Sequence, residues 1–210
     1  MKKVLFIHNE FPSGGAERIT IDIADYVTNN GYSFYVVACH LKEKHNKIHQ
    51  IQLPDKDDLY SLENADFLID FINTEQIDVC VLPIQGMEHM NYIQTKSSAK
   101  WVFSLHCTPL WEIPCGLSLR RRKVEGNILK TLEWFLLTYP KTMWLKKKRN
   151  KQIFDYLQIY NQVSAYTVLT EGYKQILIKK LHLSPTDNKI HVIYNSERVV
   201  DTVNFKKKNQ

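Results

Sequence analysis

Most of the features that mark specialised protein classes are missing from this sequence. No stretch of its 210 residues approaches the ~18 consecutive apolar residues of a membrane-spanning helix. The opening Met1-Lys2-Lys3 runs directly into Val4-Leu5-Phe6-Ile7. That apolar run is too short for a signal-peptide core, and no small-residue cleavage site follows it. The four cysteines, Cys39, Cys80, Cys107 and Cys115, form no CxxC pair, and their spacing matches neither a zinc site nor a dense disulfide framework. These absences predict a soluble or membrane-surface protein with reduced thiols, placed in the cytoplasm. The chain also lacks a GxGxxG fingerprint, the Lys-Ser/Thr pair of a Walker loop, internal repeats and low-complexity linkers.

What remains is the composition of a globular domain. Apolar residues make up 44% of the chain and charged residues 24%, enough at this length to build a proper core, with fraying expected only at the polar tail, 206–210. The net charge of +6 is unevenly placed. Residues 120–151 hold eleven Lys and Arg against Glu125 and Glu133, a local balance of +9 that leaves −3 for the rest. A basic partner surface would therefore lie in that segment.

Strand and helix signals alternate along the chain. Residues 3–8 form a continuous apolar run of strand length, the pattern of a strand buried on both faces. Residues 16–30 carry Ile19, Ile23, Tyr26 and Val27 at helical spacing, with Gly31 where a C-terminal capping glycine would stand. Further strands are expected at 34–39, 77–82 (closed by Pro83), 100–106, 166–169 and 190–194. Helices are expected at 58–74, 124–139, 152–162 and 171–181. Strands separated by helices of this size imply a parallel Rossmann-like α/β sheet with helices on both faces. Ligands of such sheets gather at the carboxyl ends of the strands, so the loops after Ile7, Leu82, Leu105 and Leu169 should converge on one crevice.

Several residues in those loops suit a site. Asn9-Glu10-Phe11-Pro12-Ser13-Gly14-Gly15-Ala16-Glu17-Arg18 places two glycines between strand and helix, where backbone can approach a ligand and unpaired helix N–H groups face an anion. A plain tight turn with Ser13 near the helix cap is the structural alternative. His106, in Phe103-Ser104-Leu105-His106-Cys107-Thr108-Pro109, falls at a strand's carboxyl end, where imidazole can bond a sugar hydroxyl or a leaving oxygen. Asp55-Lys56-Asp57 has the DxD spacing of a cation site, but its place before an amphipathic helix points to Asp57 or Asp58 as an N-cap, so no metal site is expected. Thr170 is placed to cap the helix that starts at Glu171.

The basic segment combines an apolar stripe, Val124, Ile128, Leu129, Leu132, Phe135, Leu136 and Tyr139, with charge. Trp134 and Leu137 lie off that stripe. Pro140 is expected to end the helix, with Trp144 and Lys146-Lys147-Lys148-Arg149 beyond it. Basic clusters beside aromatics fit docking on an anionic membrane surface or holding a phosphate-linked acceptor. A helix packed into the core with a solvated basic face is the alternative. No recognised nucleic-acid module accompanies the charge.

In order and spacing, these pieces resemble the N-terminal domain of family 4 retaining glycosyltransferases. The likeness rests on Val4-Leu5-Phe6-Ile7 followed by Gly14-Gly15-Ala16-Glu17-Arg18, the strand ending at His106, the Val168-Leu169-Thr170-Glu171 junction, and Ile190-His191-Val192-Ile193-Tyr194-Asn195. It covers nearly the whole chain. It implies one half of a B-type fold of two facing Rossmann-like domains. It also implies transfer of a sugar, with retention, from a nucleotide-diphosphate donor to a glycan or lipid-linked acceptor, with no cofactor and no obligatory metal. By the same resemblance Gly14 and Gly15, with Glu17 beside them, approach the donor's phosphates and sugar, and His106 stands near the reaction centre.

The resemblance assigns residues 1–196 to this domain and 197–210 to the start of a linker. The second domain, which carries most of the donor site and a pair of glutamates spaced eight apart, is absent, so the fragment is expected to be inactive alone. Trp144, Lys146, Lys147, Lys148 and Arg149 are the candidate acceptor or membrane contacts, at the inner face of the membrane. Two readings compete with this one. A non-catalytic module could dock on a membrane or a partner through residues 120–151. A nicotinamide-binding domain is disfavoured, because the glycine spacing is wrong and His40, not an acidic residue, ends the second strand.

Overall fold

The structure, a computed structural model, describes residues 2–82, 89–111 and 126–194, with the backbone alone at 16 and 138–147. Along these residues the elements run β1 (Lys3–Phe11), α1 (Gly15–Asn29), β2 (Ser33–Leu41), β3 (His49–Gln52), α2 (Leu62–Glu75), β4 (Val79–Leu82), α3 (Met90–Lys96), β5 (Lys100–Leu105), α4 (Ile128–Gln162), β6 (Ala165–Val168), α5 (Glu171–Leu181) and β7 (Ile190–Val192). The strands form one sheet in the order β3-β2-β1-β4-β5-β6-β7, and every neighbouring pair is parallel.

Alternation along the strands divides the core in two. Leu5 and Ile7 of β1, Phe103 of β5 and Tyr166 of β6 face Leu68 and Ile72 of α2, Ile93 of α3, Tyr156 of α4 and Leu177 of α5. On the opposite face Phe6, Phe34, Val36 and Val81 pack against Ala24, with Ile21, Ile23 and Val27 of α1 around them. Each fully buried aliphatic or aromatic side chain contributes about 1.5–3 kcal/mol. The chain leaves β1 toward β2 and β3, then α2 carries it back to β4 on the other side of β1. That reversal makes the carboxyl ends of β1 and β4 the switch point of the sheet, where open α/β sheets form their crevice.

The structure corrects several expectations. Asp57 and Asp58 do not cap α2. Ser61 does, accepting from the Asn64 amide. The acidic run is instead a string of side-chain turns: Asp55 Oδ1 accepts from the amides of Asp57 and Asp58, and Asp58 Oδ1 from that of Tyr60. Fully buried Asn64 ties the run down, accepting from the Asp55 amide and donating to the carbonyls of Asp55 and Asp58. Pro140 does not end a helix either. α4 runs unbroken for 35 residues from an Asn127 cap. A proline inside a helix removes one hydrogen bond at a cost of ~3 kcal/mol; here the helix continues beyond it, to Gln162.

β3 and α3 lie outside the expected set. One is a short, polar edge strand and the other a helix of 7 residues, both too brief for periodicity to reveal. β1 extends to Phe11, which shortens the glycine turn. Gly31 does adopt a left-handed φ of 80°, closing the end of α1 as a glycine can. Pro83, Val124, Cys115, Asn195 and the 197–210 linker lie outside the described residues. Replacing Asn64 by Ala is expected to lower stability by roughly 1–3 kcal/mol, because it orphans buried backbone groups. Asp57→Ala, on an exposed side chain, should stay within about 0.5 kcal/mol. Chemical denaturation of the two variants checks both.

Candidate functional site

The site grows from a polar residue inside an apolar strand. His8 is fully buried. Its Nε2 lies 3.0 Å from Thr20 Oγ1 of α1, and its ring packs against Phe11 at 5.4 Å. Its Nδ1 is 3.7 Å from Glu17 Oε1, an ion-pair distance rather than a hydrogen bond. Glu17 and Thr20 stand three residues apart in α1, so both reach the same face toward β1.

Glu17 in turn depends on Gly14. A Cβ at residue 14 would sit 2.9 Å from Glu17 Oε2, so a side chain there would push the carboxylate off its place over the turn. Gly14 is the N-cap of α1 and has no side-chain cap bond, which leaves Ser13 out of that role. The His8 imidazole, then the amides of Glu17 itself and of Gly14, hold the Glu17 carboxyl below the usual carboxylate range against the opposing effect of burial. At Gly15 an added Cβ would meet nothing within 4 Å, so its backbone is open to an approaching group.

His106 follows the last residue of β5 on the same side of the sheet. Its Nε2 lies 3.2 Å from Ser104 Oγ, and Thr167 of β6 donates to that hydroxyl at 2.8 Å. Its buried Nδ1 has no hydrogen-bond partner among the described residues. Burial, with the neighbouring His8 imidazole, holds His106 below its ordinary 6.5, while Glu17 pulls the other way. The ring is therefore neutral near pH 7. A cavity of about 270 Å³ opens beside it, floored by Ser104, His106 and Thr167 and walled by Ile23 and Tyr26 of α1 and by Tyr194. A larger hollow of about 700 Å³ lies around β3 near Lys42, His45 and His49. It holds neither His106 nor the Ser104 and Thr167 side chains bonded to it, so the smaller cavity is the candidate.

The loop after β5 is held from below. The Leu110 amide donates to the buried Tyr156 hydroxyl, and Thr108 donates to Tyr173. Thr170 caps α5 by accepting from the Tyr173 amide, as its sequence position implies. Among the described residues no group of three or more His, Cys, Asp or Glu is placed to hold a metal ion. Cys39, Cys80 and Cys107 form no disulfide, and burial pushes the Cys39 thiol up to about 11.

No described residue of the basic segment lines this cavity. Ile128, Leu129, Leu132, Phe135 and Leu136 are all exposed on the first half of α4, so the stripe does not pack into the core. Lys148 and Arg149 are exposed further along the helix. The side chains of Trp144, Lys146 and Lys147 lie outside the described residues, as does that of Tyr139. No helix among the described residues is long and apolar enough to cross a membrane.

The residues singled out from the sequence, Gly14, Gly15, Glu17 and His106, lie at the carboxyl ends of β1 and β5; His8, Thr20, Ser104 and Thr167, which bond or adjoin them, were not singled out. The available signal was polarity: Ser104 and Thr167 each stand between buried apolar neighbours in their strands, and His8 ends a buried apolar run.

A seven-stranded parallel sheet with this order and with polar groups gathered at its switch point defines a Rossmann-like domain, one half of a B-type glycosyltransferase fold. The family model of Glycosyltransferase Family 4 matches residues 13–196, and the chain belongs to that family. Among solved structures it is similar to a glycosyltransferase from Rickettsia africae ESF-5, at 16% identity and a TM-score of 0.52 over 92% of this chain and 43% of that one. It is also similar to WaaG, a glycosyltransferase involved in lipopolysaccharide biosynthesis, at 14% identity and a TM-score of 0.50 over 90% of this chain and 44% of that one. At these identities the likeness is one of fold, and the chain spans less than half the length of either structure. No curated protein matches it significantly.

The neutral imidazole gives this site a measurable signature. A base that the folded state keeps unprotonated contributes stability that is present above pH 6.5 and lost as pH falls through the lower folded value. In an NMR titration His106 should show a midpoint below 6.5, and Glu17→Gln should lower that midpoint further by removing a nearby negative charge. A wild-type midpoint at or above 6.5 contradicts the geometry.

Proposed function

We propose that this chain is the first of two facing domains of a retaining glycosyltransferase that moves a sugar from a nucleotide-diphosphate donor to a glycan or lipid-linked acceptor. The observation that carries this reading is that His106, at the carboxyl end of β5, is influenced electrostatically by His8 and by Glu17, which folds back beside the Gly14–Gly15 turn at the end of β1. The open backbone at Gly15 and the N-terminal N–H groups of α1 suit the donor's phosphates. His106, kept neutral beside them, suits an oxygen of the donor sugar or of the leaving phosphate. Helix N–H groups meet phosphate charge without a divalent cation, in keeping with a metal-independent reaction.

Transfer requires donor and acceptor to be held together and water to be excluded. A cleft with one wall does neither, so turnover belongs to a two-domain enzyme, with this chain alone inactive. In that enzyme His106→Ala is expected to lower kcat on the order of 10²-fold or more while the fold persists. Steady-state kinetics with circular dichroism as the folding control checks this, and near-normal turnover would remove His106 from the reaction.

The exposed row on α4 supports docking on an anionic membrane surface at the cytoplasmic face, where a lipid-linked acceptor would be met. Apolar side chains would enter the interface while Lys148, Arg149 and the adjoining basic residues face the lipid phosphates. The same row is what favours the second reading, a docking module without catalysis. Lys148→Glu with Arg149→Glu should weaken sedimentation with phosphatidylglycerol vesicles, most strongly at low salt. Binding indifferent to both salt and charge reversal contradicts electrostatic docking. Docking without any transfer by the two-domain protein favours the module.

A further inference from the structure

Three polar side chains lie in a row on the floor of the cavity. Thr167 donates to Ser104 Oγ at 2.8 Å, and Ser104 Oγ lies 3.2 Å from His106 Nε2. Thr167 is 8% exposed, and the His106 Nδ1 at the end of the row is buried with no partner among the described residues. Either ring nitrogen of a neutral histidine can carry the proton, and the bond made by the other decides which.

The two tautomers leave different groups unmatched. If Nε2 carried the proton and donated to Ser104, the serine's own hydrogen would find no acceptor among the described residues, and Nδ1 would be an unmatched acceptor as well. If Ser104 donates to Nε2, every hydrogen in the row points the same way and only Nδ1–H is left over. Hydrogen bonds running in one direction polarise one another and strengthen the row, and an unmatched polar group away from water is disfavoured. The second arrangement leaves one such group; the first leaves two.

We infer that Thr167 and Ser104 are positioning residues that lock His106 as its Nδ1–H tautomer, so that the one N–H of the ring is fixed on the buried nitrogen and a hydroxyl or phosphoryl oxygen that reaches it meets a donor. Imidazole in water favours the opposite, Nε2–H form, so the row works against the intrinsic preference. The locked ring serves as a hydrogen-bond donor and not as a base through Nδ1. The role in transfer rests on the function proposed above; the tautomer does not.

The test is 15N–1H long-range correlation NMR on the histidine-labelled chain near pH 8. The wild type is expected to show a protonated Nδ1 and an unprotonated Nε2 at His106. Ser104→Ala should move the ring predominantly to Nε2–H, and Ser104→Thr should restore the wild-type pattern. Thr167→Val, which keeps shape and leaves Ser104 in place, should give a mixture and serves if Ser104→Ala does not fold. A protonated Nε2 in the wild type overturns the inference, as does a tautomer that ignores both substitutions.

Turnover of the two-domain enzyme separates this inference from the proposed function. A roughly tenfold fall in kcat with Ser104→Ala, at little change in KM and reversed by Ser104→Thr, supports both. A switched tautomer with unchanged turnover upholds the lock and removes His106 from catalysis. An unswitched tautomer with a large loss in His106→Ala upholds catalysis and ends the lock.

Discussion

The carboxylate of Glu17 occupies space that any side chain at residue 14 would contest, since a Cβ there would stand 2.9 Å from its Oε2. Through that opening the first turn of α1 folds back on its own N-terminus and brings Glu17 within ion-pair distance of His8 in β1. Thr20, one turn further along, bonds the other nitrogen of the same ring. Strand, turn and helix are thereby fixed around one buried imidazole. His106 feels the same group: the His8 imidazole and the Glu17 carboxylate act on its protonation with opposite signs. The glycine turn and the histidine of β5 are thus parts of one electrostatic unit.

The sheet sets where that unit faces. Helices α2, α3, α4 and α5 supply the core on one face, and α1 supplies it on the other. On the α1 side the ends of β5 and β6 therefore keep Ser104, His106 and Thr167 at the floor of a cavity rather than under a packed helix. The arrangement suits a domain whose chemistry happens against a second surface. On the proposed function it offers backbone N–H groups to phosphate, a neutral imidazole to an oxygen and an apolar wall to the rest of the ligand. The exposed row on α4 does not line this cavity, so the proposed transfer and the proposed docking would use different parts of the chain.

The sheet was largely legible in the sequence because its strands are continuous apolar runs, and α5 was legible to the residue because Thr170 announces its start. The aspartates misled, because Asp55 and Asp58 use their carboxylates in short turns before the helix begins and Ser61 takes the cap. Pro140 misled because the rule against interior proline is a local cost that a helix of this length absorbs. β3 and α3 are too short to carry a period. In the site, Gly14 and His106 stood out by residue type and place. Ser104 and Thr167 did not, since their meaning depends on a cross-strand pairing between β5 and β6 that spacing does not reveal. His8 looked like the last residue of an apolar strand and proved to be the hub of the cluster.

The central claim is that the carboxyl ends of β1 and β5 form one wall of a nucleotide-diphosphate site. Amide-shift mapping by NMR, titrating the chain with UDP, GDP and ADP in turn to millimolar concentration, tests it most directly. The account predicts that at least one of them shifts the amides of Gly14, Gly15, Glu17 and His106 together, with little change around β3. No shift at those four residues with any of the three, or shifts confined to the hollow beside Lys42 and His45, would contradict it.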